Sequence, residues 1–355
     1  MPRQPVDRAS SGEAAFWPRL RGFVRAHSRL LLFQLPLAAV SIVLLVWRVD
    51  VPAAFRQLND VDPRWVLPGL CAFTVSKVVH AYRWRLLLGH RRELRLRALT
   101  EVFLFSNLAN AVIPFRAGDL IRVAIPNRLF RIPRAELASS VFLVESVLDG
   151  VAFAILFAIA ALFLDVPAAA QPTFVFIAAV AVALFLFTVV VARVDGRRDF
   201  SGSRALRPLP LRLRTALAGQ LPGLLDGMAS LSDLRRALFA VGISVVAWLA
   251  EVLVYWMMAE AFSLDITLPQ ALIVMIAANL IVSVPLTPWS VGPYEVVVTE
   301  ALVLIGIDRI EASTYAVGSH ILLQSWIAVT GLAAMWSLNL RPRDLVEPGV
   351  PGKRE

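Results

Sequence analysis

Long apolar segments separated by short charged ones run along most of the chain. A helix needs about 20 apolar residues to cross the hydrocarbon core of a bilayer. We predict transmembrane helices over six such segments: 30–47, 66–82, 137–164, 172–192, 237–262 and 312–338. The pattern predicts an all-α, polytopic helical membrane protein.

Two further apolar stretches, 99–115 and 269–306, are interrupted by proline and glycine. The first has basic residues on both flanks, and a dip into the membrane and back keeps both flanks on one side. The second has few basic neighbours and fits a hairpin that enters from the other side. Non-helical backbone at membrane depth is tolerated only where protein or a water-filled cavity surrounds it. Two re-entrant hairpins therefore predict a central cavity; the alternative is two short crossings with bent ends.

Arginine and lysine fall mainly in the segments between the predicted helices, and one threading places most of the 35 basic residues on one side. Cytoplasmic loops carry such an excess. We therefore predict a multi-pass protein of the inner cell membrane with both termini in the cytoplasm. Its parts are a basic arm over 1–29, a membrane domain over 30–338 and a tail over 339–355.

The chain carries a weak internal repeat with a spacing of 174 residues. This shift superposes Pro114-Phe-Arg-Ala-Gly118 on Pro288-Trp-Ser-Val-Gly292, inside the two broken stretches. It predicts two units of helix, broken hairpin and helix, over about 66–164 and 237–338, in opposite orientations. Inverted repeats with paired broken helices are typical of transporters, whose substrate sites lie at the breaks.

The segment 165–236 links the two units. Its second part, 206–236, mixes apolar and basic residues. Such a composition favours a helix lying in the membrane interface, with arginine near the phosphates. A plain linker is the alternative.

Polar residues in the first broken stretch are the first candidates for a site. Pro114 and Gly118 free backbone groups. Arg116 and Arg122 can donate paired hydrogen bonds to a phosphate, with Asp119 beside them. The alternative is that both arginines lie among the cytoplasmic headgroups.

Glu145 and Asp149 share one face of the following helix because they are four residues apart. They could balance Arg116, couple to protons or bind a cationic headgroup. A structural ion pair with the hairpin arginines is compatible with these roles.

The second broken stretch contains Thr287, Pro288, Ser290, Gly292 and Glu295. Pro288 and Gly292 are predicted backbone breaks, and the two hydroxyls can satisfy the freed backbone groups. Glu295 begins the returning helix, where the helix dipole favours a carboxylate. It is a candidate for headgroup binding, with helix capping as the alternative.

Lys77 and Glu251 lie in the middle of predicted helices, at positions related by the repeat. Unpaired charge is expensive inside a membrane. We predict that they form a buried ion pair across the repeat axis.

The composition argues against several classes of function. The net charge of +9 accompanies 58% hydrophobic residues, and the basic residues lie between apolar segments, so a nucleic-acid partner is not predicted. The single cysteine and dispersed histidines give no metal-site spacing. We find no motif for a cofactor or for catalysis and predict a protein that is not an enzyme.

Taken together, these pieces resemble the lysylphosphatidylglycerol synthase transmembrane-region family, also called flippase-like domain proteins, which includes the membrane half of the multiple peptide resistance factor. The matching residues are Arg83-Trp84, Asn110-x-x-x-Pro114-x-Arg116-x-Gly118-Asp119-x-x-Arg122, Glu145-x-x-x-Asp149 and Thr287-Pro288-x-x-x-Gly292-x-x-Glu295. The family usually has Glu at 119, often Arg at 146, and two glycines where this chain has Trp289-Ser290.

The resemblance implies a flippase that moves a phospholipid or lipid-linked headgroup between leaflets, without the domain that makes the lipid. Membrane lipids are the expected partners, and a separate synthase or glycosyltransferase subunit and a homodimer are compatible with the sequence. The alternative is a membrane enzyme or accessory subunit in lipid-linked glycan or aminoacyl-lipid metabolism.

Overall fold

The computed structural model describes Val43 and residues 61–89, 94–113, 117–163, 171–194, 210–284 and 287–340. The predicted basic arm, the predicted first span except Val43, and the tail beyond Leu340 lie outside these residues. The described residues form ten helices and no strand: α1 Pro63–Leu87, α2 Leu96–Val112, α3 Ala117–Phe130, α4 Arg134–Ala160, α5 Gln171–Val191, α6 Leu211–Met228, α7 Leu234–Ala261, α8 Leu268–Ser283, α9 Pro293–Leu304 and α10 Arg309–Ser337.

Local sequence fixes where the long helices begin. The carboxylates of Asp62, Asp233 and Asp308 accept hydrogen bonds from backbone amides in the first turns of α1, α7 and α10, at 2.8–3.0 Å. These caps satisfy amides that have no partner within the helix. Three described helices, α4, α7 and α10, are long and apolar enough to cross a membrane.

The helices repeat in order. A long helix, a two-helix hairpin and a second long helix occur as α1 to α4 and again as α7 to α10. Adding 174 to the bounds of α3 gives 291–304, and α9 is Pro293–Leu304. The first hairpin extends further than the broken stretch 99–115, because its returning arm is α3, in a segment that the sequence interpretation counted as a basic loop.

The equivalent helices α1 and α7 pack against each other in opposite directions. The amide of Asp62 bonds the carbonyl of Ala261 at 2.9 Å, at the start of α1 and the end of α7. Arg83, near the other end of α1, bonds Ser244 in the first half of α7 at 2.7 Å. Antiparallel equivalent helices are the arrangement that an inverted repeat requires.

Close packing holds the rest of the bundle. Buried apolar residues of α7 to α10 form one core, those of α1 to α3 with the end of α10 form another, and a third lies between α4, α5 and α7. Helix α6 covers the start of α4, where Gly223 and Gly227 approach Ala135 and Glu136. Helix α5 instead exposes large apolar residues on its surface, as a lipid-facing helix does.

Gly118 is required by the approach of α3 to α2. A Cβ atom at this position would lie 1.9 Å from the backbone oxygen of Ser106 and 2.7 Å from Asn110 Oδ1. We expect Gly118→Ala to lower the free energy of unfolding by about 1–3 kcal/mol, as overpacking does, and to lower the midpoint of thermal unfolding in detergent micelles.

Gly242→Ala is the matched control, because nothing lies within 4 Å of a Cβ atom there. It should leave the unfolding free energy unchanged or raise it by up to about 1 kcal/mol. Equal effects of the two substitutions would contradict the packing described for the first hairpin.

Candidate functional site

A cavity of about 700 Å³ lies between the two repeat units. Helices α1, α2, α3 and α4 of the first unit and α7, α8 and α10 of the second contribute to its wall, together with the turn at the tip of the second hairpin. That turn, Pro288–Ser290, packs against α2. The cavity therefore lies where the two hairpins meet, and its volume falls in the range of about 300–1,000 Å³ typical of small-molecule sites.

A network of two arginines and two carboxylates forms one wall. Arg83 is fully buried and donates hydrogen bonds to Asp149 and to Ser244. Arg122 donates to Glu145 at 2.6 Å, and Glu145 also lies 3.8 Å from Arg83. Each charge in this wall therefore has a partner of opposite sign.

The local structure of α4 and α3 positions Glu145 and Arg122 in this wall. Ser139–Val144 is a π-helical turn immediately before Glu145; such turns are frequent at functional sites. The Arg122 guanidinium lies over the rings of Trp84 and Phe103, at 4.6 and 4.0 Å from their centroids. Cation–π contacts and the bond to Glu145 hold Arg122 in one place. The sequence interpretation offered the hairpin arginines either to a phosphate or to an ion pair with Glu145 and Asp149; the structure shows Arg122 paired with Glu145.

Asn110 joins the two arms of the first hairpin. Its Oδ1 atom accepts from the amide of Gly118 at 2.7 Å, and its Nδ2 atom donates to Asp119 at 3.3 Å. Pro114 and Arg116 fall outside the described residues, so their predicted roles stay predictions.

The tip of the second hairpin has strained backbone. Trp289 and Ser290 have φ of 56° and 55°, and Gly292 has φ of 93°. Left-handed backbone costs about 1–2 kcal/mol for a residue other than glycine, which gives a physical reason for the two glycines usual in the resembling family. Thr287 closes the turn by donating to the carbonyl of Val291 at 2.8 Å.

A chain of hydrogen bonds supports this tip from α9 and α10. Glu295 accepts from the amide of Gly292 at 2.7 Å and faces His320 Nδ1 at 2.7 Å. Gln324 Nε2 lies 2.9 Å from His320 Nε2 and 3.1 Å from the carbonyl of Trp289. An amide nitrogen only donates, so His320 Nε2 accepts and Nδ1 carries the proton. Glu295 therefore acts both as a helix cap and as the partner of a neutral histidine.

Lys77 and Glu251 form a pair between α1 and α7, with 2.5 Å between Lys77 Nζ and Glu251 Oε1. The repeat relates these positions to each other, so the pair maps onto itself and lies on the pseudo-two-fold axis. Both side chains line the cavity.

The structure brings most of the predicted site residues to one cavity. Its lining contains Lys77, Asp119, Arg122, Glu145, Asp149, Glu251, Thr287, Pro288 and Ser290. Glu295 lies next to it through His320. No group of three metal-ligating side chains occurs among the residues that the structure describes.

Sequence reasoning missed four residues of the site. Arg83 entered the sequence analysis only through the family resemblance, because it follows the apolar run of its helix; it is the most buried cation of the cavity among the described residues. Trp248 donates to Asp149 at 2.9 Å and is recognisable only from the folded chain. His320 and Gln324 carried a usable signal, since two polar residues four apart in an apolar helix share a face.

Comparison with known proteins agrees with the architecture. The family model of the lysylphosphatidylglycerol synthase TM region matches residues 31–331. A relative, Glycosyltransferase AglD of Haloferax volcanii, is 26% identical in an alignment 365 positions long, which covers 93% of this chain and 57% of the relative. The chain thus spans little more than half the length of that protein.

The ion pair of Lys77 and Glu251 can be tested by exchanging its two residues. Removing one partner leaves a buried charge uncompensated, and we expect Lys77→Met and Glu251→Gln each to destabilise the protein by about 3–5 kcal/mol. Because the two positions are equivalent, the exchanged variant Lys77→Glu/Glu251→Lys should recover most of the loss. Chemical or thermal unfolding in detergent measures this, and an exchanged variant no more stable than the single variants would disprove the axial placement.

Proposed function

The chain belongs to the lysylphosphatidylglycerol synthase transmembrane-region family of membrane proteins, and on that premise we propose that it moves a phospholipid or lipid-linked headgroup between the two leaflets. The observation that carries the proposal is a polar, charge-lined cavity enclosed by two oppositely oriented units. Irregular backbone at membrane depth is tolerated around such a cavity, and transporters bind substrate at equivalent breaks.

The rim of the cavity favours a lipid over a small soluble solute. Leu120 and Phe142 of the first unit and Leu280 and Val282 of the second line the cavity and are also 42–60% exposed at the surface. A lipid can place its headgroup among the charged residues and leave its acyl chains against these side chains. A soluble solute would gain nothing from an apolar rim of this kind.

The inverted units supply a route to both sides of the membrane. Each hairpin belongs to one unit, and the tip of the second hairpin packs against α2 of the first beside the cavity. Movement of either hairpin relative to the α1–α7 pair would open the cavity towards one leaflet, as in alternating access around a fixed site. We place the protein in the inner cell membrane with both termini in the cytoplasm.

A second candidate is a membrane enzyme or an accessory subunit in lipid-linked glycan or aminoacyl-lipid metabolism. The likeness to Glycosyltransferase AglD favours it, and a separate synthase or glycosyltransferase would then be the partner. Against catalysis by this chain, both carboxylates suited to acid–base work, Glu145 and Asp149, are held by arginines. Product formation from a lipid donor by the purified protein would support the enzyme instead.

Reconstitution tests the transport proposal. Purified protein in liposomes with acyl-labelled fluorescent lipids should make inner-leaflet label accessible to dithionite. We expect Arg122→Gln to slow this movement at least about tenfold. The substitution leaves the Glu145 carboxylate in the cavity wall without its partner, at a free-energy cost of about 3–5 kcal/mol, and a factor of ten in rate corresponds to only about 1.4 kcal/mol.

Two variants make the result interpretable. Arg97→Gln is the matched control, because Arg97 lies on the same hairpin with its side chain 83% exposed, and it should transport as wild type does. Arg122→Gln/Glu145→Gln removes both charges of the pair and should remain folded by size-exclusion chromatography while staying slow. Quenching no faster than in protein-free liposomes, for every headgroup tried with wild type, would refute the proposal.

A further inference from the structure

The charged groups of the cavity neutralise one another. Three cations line it among the described residues, and each has a carboxylate within 2.6 Å: Lys77 with Glu251, Arg83 with Asp149, and Arg122 with Glu145. The remaining carboxylate of the described lining, Asp119, accepts a hydrogen bond from Asn110. The cavity thus offers a ligand no described charge that lacks a partner.

To gain a counter-ion of its own, a charged headgroup would have to share or break one of these pairs. A phosphate would displace a carboxylate from its arginine, and an ammonium group would displace an arginine from its carboxylate. Either exchange leaves a buried charge behind, and separating a buried pair is strongly unfavourable. The arrangement therefore selects against headgroups that bind mainly through net charge.

Uncharged polar groups of the lining are the ones available to a ligand. Asn107 on α2, Asn279 on α8 and Gln324 on α10 are half-buried amides facing the cavity from both units. Asn107 Nδ2 has no hydrogen-bond partner among the described residues, and neither has Gln324 Oε1. The Nε atoms of Arg83 and Arg122 and the Oε2 atom of Glu251 also have none there, but each belongs to a group whose charge is already paired. The Asn107 atom is a donor and the Gln324 atom is an acceptor, so together the two amides offer a ligand both functions.

A hydroxyl group both donates and accepts, so it matches a site that offers one donor and one acceptor. Phosphate oxygens only accept and ammonium groups only donate, so each of them can use only one of the two. Aromatic side chains complete the lining: Phe153 and Trp248 lie side by side with 4.4 Å between ring centroids, and Tyr255 is on the same helix as Trp248. Their faces can pack against the apolar C–H groups of a sugar ring.

We propose that the cavity binds an uncharged, hydroxyl-rich headgroup, such as the hexosyl group of a glycolipid, through Asn107 and Gln324. The inference rests on the proposed transport of lipids and names the class of headgroup that this site takes. The ion pairs then fix the shape of the cavity, and the two amides recognise the headgroup through hydrogen bonds.

The experiment compares three acyl-labelled lipids in the same liposomes: a monohexosyl diacylglycerol, phosphatidylmethanol, whose headgroup has no hydroxyl, and a diacyl lipid with a primary ammonium headgroup. They present neutral hydroxylated, anionic and cationic headgroups. We expect wild type to move the hexosyl lipid about tenfold faster than either charged lipid. Asn107→Leu should slow the hexosyl lipid about three- to tenfold, as loss of one hydrogen bond predicts, and leave the slower rates unchanged.

Further variants separate recognition from folding. Asn107→Ser keeps a donor and an acceptor and should restore part of the hexosyl rate, whereas Gln324→Leu should reduce it. Gln220→Leu, on the exposed surface of α6, is the matched control and should move all three lipids as wild type does.

The outcomes are distinct. Faster movement of a charged lipid than of the hexosyl lipid overturns this inference and leaves the transport proposal standing. A hexosyl preference that Asn107→Leu does not change overturns the assignment of the amides. Movement of none of the three lipids overturns the inference together with the transport proposal.

Discussion

Ionised groups inside an apolar bundle are stable only in pairs, and this constraint organises the whole molecule. Removing a charge from water is compensated only by a close partner of opposite sign and by hydrogen bonds. Arg83, buried in α1, therefore binds Asp149 of α4 and Ser244 of α7 together. The pairs consequently fix which helices are neighbours, and they bind the two repeat units at the centre of the bundle.

The hairpins depend on that centre for their position. Their arms are short, and side chains hold them in place. Asn110 joins the two arms of the first hairpin, and Glu295, His320 and Gln324 support the irregular tip of the second. A cavity persists between them because polar side chains, and not apolar packing alone, complete its wall.

Much of this was accessible from the sequence. The helical segments follow from hydropathy, and the pairing of Lys77 with Glu251 follows because isolated mid-helix charges at equivalent positions need partners. An ion pair of Glu145 and Asp149 with the hairpin arginines was among the alternatives, and Arg122 does pair with Glu145. The i, i+4 spacing places both carboxylates on one face without saying which cation reaches each, so the pairing of Asp149 with Arg83 was missed. The extent of the first hairpin was missed because α3 carries arginines that resemble a loop, although Arg122 is buried. The strain at Trp289 and Ser290 appears only in backbone angles.

The tip of the second hairpin stores conformational energy. Trp289 and Ser290 have left-handed backbone there, which costs about 1–2 kcal/mol for a residue other than glycine. The packing of this turn against α2 and the hydrogen bond from Gln324 to the carbonyl of Trp289 offset that cost. In the transport mechanism that we propose, movement of the tip away from α2 would release the strain, so these two residues would lower the free energy of the open state relative to the closed one.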